Sequence, residues 1–124
     1  MAHDNALTQR VIGCAVEVHR TLGPGLLEGI YEACLCHELT VAGLAFLRQL
    51  RLPVVYKGHP IDYDMRIDVL VEQTLVLEIK SVHQLLPVHE AQLLTYLRVS
   101  GLKTGLLLNF NEETLKQGIR RRVL

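Results

Sequence analysis

Apolar residues recur at two different spacings along this chain, and the spacings predict where helices and strands lie. Over residues 5–22 they recur every three or four positions, as in a helix with one buried stripe. Gly23-Pro24-Gly25 ends that helix, because glycine favours a left-handed cap and proline cannot continue a helix. A second helix is predicted from about residue 26 to residue 42, where Gly43 stops it.

The middle of the chain has the composition of strands. β-Branched and apolar residues dominate residues 46–55 and 66–80, and the turn-forming residues 57–60 and 72–74 divide the region into three strands. Pro87 suits the first turn of a helix over residues 88–99. The continuous apolar run 104–110 predicts a strand covered on both faces, and the remaining tail has room for one helical turn and a short last strand.

This order of elements predicts an α/β fold, in which helices flank a mixed sheet. At 124 residues and 49% hydrophobic composition, the chain is expected to form a single domain over residues 1–124 with a core of its own. An odd number of cysteines, no secretory leader and no long apolar run indicate a reduced, cytoplasmic protein that does not span a membrane.

The balance of charge argues against long-range attraction of nucleic acid. Thirteen Lys and Arg residues offset thirteen Asp and Glu residues, so contacts to a polyphosphate would have to be local. The adjacent basic residues 120–122 are a candidate for such contacts, although a solvated tail is the simpler interpretation.

The most informative segment is the predicted hairpin over residues 66–80. Alternation places Ile67, Val69 and Val71 on one side of the first strand and Asp68 on the other. If Val71 pairs with Leu75 across the turn, Asp68 lies directly opposite a second carboxylate, that of Glu78.

Facing carboxylates are destabilising unless something positive lies between them. A hard divalent cation fits this requirement, and Lys80 adds a positive charge on the same face as Glu78. The alternative is a solvated sheet face, on which the two acids form ordinary ion pairs with Arg66 and Lys80.

Two helices carry further candidates. Glu28 lies at the border of the apolar arc of the second helix, where it is able to look into a cleft, although the helix dipole also favours an acid in a first turn. On the third helix, His89, Gln92 and Tyr96 share one face and would either line a groove or close the edge of the core.

Together these residues resemble the GxxExxY proteins, a branch of the PD-(D/E)XK nuclease superfamily. The similar motifs are Gly25-x-x-Glu28-x-x-Tyr31, Asp68, Glu78-x-Lys80 and Gln92-x-x-x-Tyr96, in that order along nearly the whole chain. One departure is Ile67, which stands at the proline position of the superfamily name.

The resemblance implies a restriction-endonuclease-like αβββαβ core with an extra N-terminal helix. It also implies a Mg²⁺- or Mn²⁺-dependent nuclease acting on DNA or RNA, with Asp68, Glu78 and Glu28 as metal ligands and Lys80 as a catalytic lysine. The predicted substrate-binding residues are Gln92, Tyr96, Tyr31 and His89.

A different class of function stays open at this point, namely a catalytically inactive module that binds a protein or forms a homodimer. Zinc or thiol chemistry is disfavoured, because Cys34-x-Cys36-His37 lacks the usual ligand spacing and a second ligand pair. Cys34 is expected in the core and Cys36 on the polar side of its helix.

Overall fold

The computed structural model describes the backbone of residues 2–124 and the side chains of residues 5–124. Its elements are α1 (Ala2–Leu22), α2 (Glu28–Val41), β1 (Phe46–Tyr56), β2 (His59–Val71), β3 (Leu75–Lys80), α3 (Pro87–Ser100), β4 (Thr104–Asn109), a short 3₁₀ helix (Leu115–Gly118) and β5 (Ile119–Val123). The predicted elements therefore occur in the predicted order, and the α/β class is confirmed.

The five strands form one mixed sheet in the order β1-β2-β3-β4-β5. β3 and β4 run parallel, with α3 as the crossover between them, and every other neighbouring pair is antiparallel. The hairpin register is the predicted one, since Val71 pairs with Leu75 and Val69 pairs with Leu77.

The β1–β2 hairpin is longer than the sequence predicts. Its turn is only Lys57-Gly58, and both residues have the positive φ angles typical of a two-residue hairpin turn. The expected break at Pro60 is absent: Pro60 pairs with Val55 inside the strand. Proline is tolerated there because β3 pairs with β2 only over residues 69–71, which leaves the outer part of β2 with a free edge.

Hydrophobic side chains fill both sides of the sheet, so the fold has three layers. One cluster joins the sheet to α1 and α2 and includes Val11, Leu35, Val69, Leu77 and Phe110. The other joins the sheet to α3 and includes Leu70, Val76, Leu93, Leu97 and Leu107. Burial on both sides explains why the region of β4 reads as a continuous apolar run.

Two predicted burial assignments are wrong. Ile67 packs in the α3 cluster, whereas Val69 packs against α1 and α2, so alternation is interrupted between them. Cys36, expected on the polar side of its helix, is buried, and burial raises the pKa of its thiol to about 11. Cys34 is only partly buried.

The loop between α1 and α2 is fastened by Tyr31. Its hydroxyl donates to the Gly23 carbonyl at 2.6 Å and accepts from the Leu26 N–H at 3.1 Å, while its ring stacks on Phe110 with centroids 4.6 Å apart. Gly23 has a φ of 71°, a conformation that favours glycine. Tyr31 is fully buried and has a structural role here, and its predicted role in substrate binding stays a prediction.

We therefore expect Tyr31→Phe to lower the free energy of unfolding by about 1–3 kcal/mol, because two partly buried loop groups lose their partner. Chemical denaturation measures this difference. Tyr56→Phe is the matched control, since Tyr56 is exposed at the hairpin tip and its substitution should change stability by about 0.5 kcal/mol or less. Equal effects of the two variants would contradict the fastening role of Tyr31.

Candidate active site

Asp68 and Glu78 meet where β2 separates from β3. The last paired residues are Val69 and Leu77. Beyond them, hydrogen bonds from backbone N–H groups to side-chain carboxylates connect the two strands in place of bonds between backbone groups. The Asp68 N–H donates to Glu78 Oε2 at 3.1 Å, and the Ile79 N–H donates to Asp68 Oδ2 at 2.8 Å. Each carboxylate is thus anchored through one oxygen to the opposite strand, which fixes the two acids side by side.

Burial makes both carboxylates hard to ionise. Glu78 is only 4% exposed, and burial, followed by the charge of Asp68, raises its pKa to about 8. Burial also raises the pKa of Asp68, although the N–H of Ile79 opposes that shift. The solvated sheet face considered as an alternative is therefore not what the structure shows.

Lys80 and Tyr96 lie close enough to interact electrostatically with the two carboxylates. The positive charge of Lys80 acts to lower the pKa values of both acids. Burial, and then the negative charges of Glu78 and Asp68, raise the pKa of the half-buried Tyr96 hydroxyl. Four of the sequence-predicted residues, Asp68, Glu78, Lys80 and Tyr96, are therefore brought together.

A third acid, Glu32, belongs to the same neighbourhood and was missed by sequence reasoning. It is 6% exposed on α2, forms an ion pair with Arg48 at 3.0 Å and accepts a hydrogen bond from Gln49 Nε2 at 2.9 Å. The same Gln49 amide lies 3.4 Å from Asp68 Oδ1. Glu32 also acts to raise the pKa values of Asp68 and Glu78.

The placement of Glu28 differs from that of Glu32, although both are on α2. Glu28 is the exposed first residue of the helix, and within the described part of the chain it makes no hydrogen bond or ion pair. Glu32 lies one turn further along the same face of the helix. The spacing of four residues from Glu28 was the sequence signal that could have identified Glu32. The metal-ligand role of Glu28 stays a prediction.

Gln92 and Tyr96 line a groove between β2 and α3. This β2–α3 groove has a volume of about 450 Å³ and is formed by residues 63–66 of β2 with Gln92, Thr95 and Tyr96 of α3. His89, grouped with them by sequence, is not part of its lining. Its Nδ1 instead accepts the Leu86 N–H at 2.9 Å, which satisfies an otherwise free donor at the start of α3.

The basic residues near the C-terminus do not form one patch. Arg121 donates to Asn5 in α1, whereas Arg122 forms an ion pair with Glu90 on α3. Arg120 donates to the backbone carbonyls of Gln117 and Ile119. The three side chains thus bond to other groups of the protein. They are on β5, which β4 separates from β3 and Glu78.

The donor set fits a hard divalent cation. Carboxylate oxygens suit Mg²⁺, which commonly binds through one or two carboxylates and completes its shell with water and substrate phosphate. Asp68 Oδ1 has only the 3.4 Å contact from Gln49, and Glu78 Oε1 has no hydrogen-bond partner among the described residues. Residues 5–124 contain no group of three or more His, Cys, Asp or Glu side chains arranged to hold a metal by themselves.

A comparison with protein families identifies the superfamily of the chain. The family model of the PD-(D/E)XK nuclease superfamily matches residues 5–122. Comparison with curated proteins and with solved structures gives no match. None of the described helices is both long and apolar enough to cross a bilayer. Because the matched region spans α1 to β5, the chain belongs to the PD-(D/E)XK nuclease superfamily.

Proposed function

We propose that this protein is a Mg²⁺- or Mn²⁺-dependent nuclease that hydrolyses phosphodiester bonds of DNA or RNA. The observation that carries the proposal is the anchored pair Asp68 and Glu78 with Lys80 beside it. A buried and a partly buried carboxylate, both with raised pKa values, form an electrostatically unfavourable arrangement that a cation relieves. Arrangements of this kind are concentrated at functional sites.

In this proposal Asp68 and Glu78 hold the cation through the oxygens that the backbone leaves free. The bound ion supplies Lewis acidity and a more acidic water. Lys80 stabilises the negative charge that develops on the phosphoryl group during hydrolysis. Glu32, through Gln49, keeps Asp68 in position, and Gln92 with Tyr96 places the nucleic-acid backbone in the β2–α3 groove.

Substitutions at the site should slow cleavage strongly without unfolding the protein. We expect Lys80→Ala to reduce the cleavage rate about 10²–10³-fold, as is typical when one charge-stabilising group is removed, and Glu78→Gln to reduce it at least as much. The measurement is cleavage of labelled DNA and RNA with Mg²⁺ or Mn²⁺, with circular dichroism to verify folding.

Matched controls are available away from the site. Lys116→Ala and Glu113→Gln change exposed residues of the same types beyond β4, and they should leave the rate within about twofold. Intact DNA and RNA after long incubation of the folded wild-type protein with either metal would overturn the nuclease proposal. That result would favour an inactive nuclease-like module.

The pKa of Glu78 leads to a stability that depends on pH. Between its ordinary value of 4.5 and about 8, the metal-free folded state retains a proton that the unfolded state releases. Stability from this group is therefore complete below pH 4.5 and is lost as the pH rises through about 8. Glu78→Gln cannot ionise, so its free energy of unfolding should fall less over this interval than that of the wild type.

Added Mg²⁺ should raise the melting temperature of the wild type, and more so above pH 8 than at pH 6, because ligation requires ionised carboxylates. Differential scanning fluorimetry at several Mg²⁺ concentrations measures the shift. Glu78→Gln should lose most of it, whereas Glu113→Gln should retain it. A wild-type melting temperature that is unchanged by either metal would contradict an assembled cation site.

A further inference from the structure

The register of the β1–β2 hairpin shifts at one point, and the shift leaves a tyrosine unpaired. Pro53 pairs with Asp64, but the next residue, Val54, pairs with Ile61. Asp62 and Tyr63 therefore have no partners in β1 and form a bulge of two residues. Bulges redirect side chains and are common beside active sites.

Tyr63 lies in the bulge and is unusually accessible for an aromatic residue. Its exposed fraction is 76%, the second highest among the large hydrophobic side chains of the described region. Tyr63 also lines the β2–α3 groove, opposite Gln92 and Tyr96 of α3. Its side chain thus lines the same groove as Tyr96, which lies within range of the charges of Glu78 and Asp68.

The charges around the groove do not favour a double helix. Arg51 and Asp64 offset one another in an ion pair at 3.6 Å, and among the described residues Arg66 makes no ion pair. The chain as a whole has a formal net charge of zero. Duplex binding depends mainly on neutralising phosphates, whereas single strands also gain affinity from stacking on aromatic rings.

The depth of the site points in the same direction. Glu78 is 4% exposed and Asp68 is partly buried, and Tyr96 of the groove lies within range of their charges, so we assign the groove as the approach of a phosphodiester. A flexible single strand can bend into such a groove and leave its bases unpaired. The exposed ring of Tyr63 is at the rim, where an unpaired base would arrive.

We propose that the β2–α3 groove binds single-stranded nucleic acid and that Tyr63 stacks on one of its bases while Arg66 contacts the backbone. This assignment rests on the proposed nuclease function, since it places the strand across Asp68 and Glu78. Tyr63 acts by binding the substrate and takes no part in bond cleavage.

Fluorescence anisotropy tests the assignment without cleavage, with Lys80→Ala protein, Mg²⁺ and a labelled DNA strand of about 12 nucleotides or its duplex. Lys80→Ala retains both carboxylates. In this background, Tyr63→Ala should weaken single-strand binding by about tenfold, the usual cost of one lost stacking contact. Tyr63→Phe retains the ring and should bind within about twofold of the parent.

Tyr56→Ala is the control for the loss of an exposed tyrosine from the same hairpin. Tyr56 is 60% exposed, and Lys57 Nζ lies 5.4 Å from its ring centroid, at the tip and outside the groove. Its substitution should not change single-strand affinity. The duplex should bind more weakly than the single strand and should not respond to Tyr63→Ala.

Three results would overturn the inference: no binding of the single strand, equal binding of the duplex, or no effect of Tyr63→Ala. Cleavage assays on otherwise wild-type protein separate this outcome from failure of the nuclease proposal. If Tyr63→Ala cleaves every substrate as fast as the wild type does, the nuclease proposal is supported and the groove assignment is overturned. If single-strand binding depends on Tyr63 but nothing is cleaved, the groove assignment is supported and the nuclease proposal is overturned.

Discussion

The structure depends on two carboxylates that accept hydrogen bonds from backbone N–H groups, as backbone carbonyls do elsewhere in the sheet. Where the ladder between β2 and β3 ends, Asp68 and Glu78 accept hydrogen bonds from the opposite strand and hold the separating strands together. The same bonds fix the two acids near one another and away from solvent, at a cost in ionisation that shows in their raised pKa values. The structural connection between the strands and the proposed cation site are thus one arrangement.

The surrounding elements are organised around that point of separation. Beyond it, β2 pairs only with β1, so the hairpin extends past the end of β3 and forms one wall of the groove. α3 forms the other wall and supplies Tyr96 next to the acids. On the opposite side, Gln49 adopts a φ of 52° and joins Glu32 to Asp68. A left-handed glutamine is uncommon, and here it places an amide between two acids.

Much of the fold could be predicted from the sequence because it depends on local rules. Turn residues divide the strands, and the short connection Glu72-Gln73-Thr74 sets the register that brings Asp68 near Glu78. The outer hairpin was harder to predict, since Pro60 is a break in most strands and is tolerated here only at a free edge. The bulge at Asp62 and Tyr63 has no sequence signature of its own.

The candidate site was only partly predictable, for a related reason. Tyr31 and Tyr96 are both tyrosines on amphipathic helices, yet one is fully buried against Phe110 and the other lines the groove. Glu28 and Glu32 lie on one helix face a single turn apart, but only Glu32 reaches Arg48 and Gln49. Periodicity identifies a face of a helix, but it does not say which turn of that face meets a strand.

The sequence by itself determined the order of the elements, the α/β class and the hairpin register, because hydrophobic spacing and turn residues act over a few neighbouring positions. Only the tertiary structure decided which acid of α2 approaches Asp68, where the alternation of β2 breaks and which tyrosine faces the groove. These features depend on packing between different elements, such as α2 with β1 and β2 with α3. The geometry of those contacts is set by the whole core, and no local pattern encodes it.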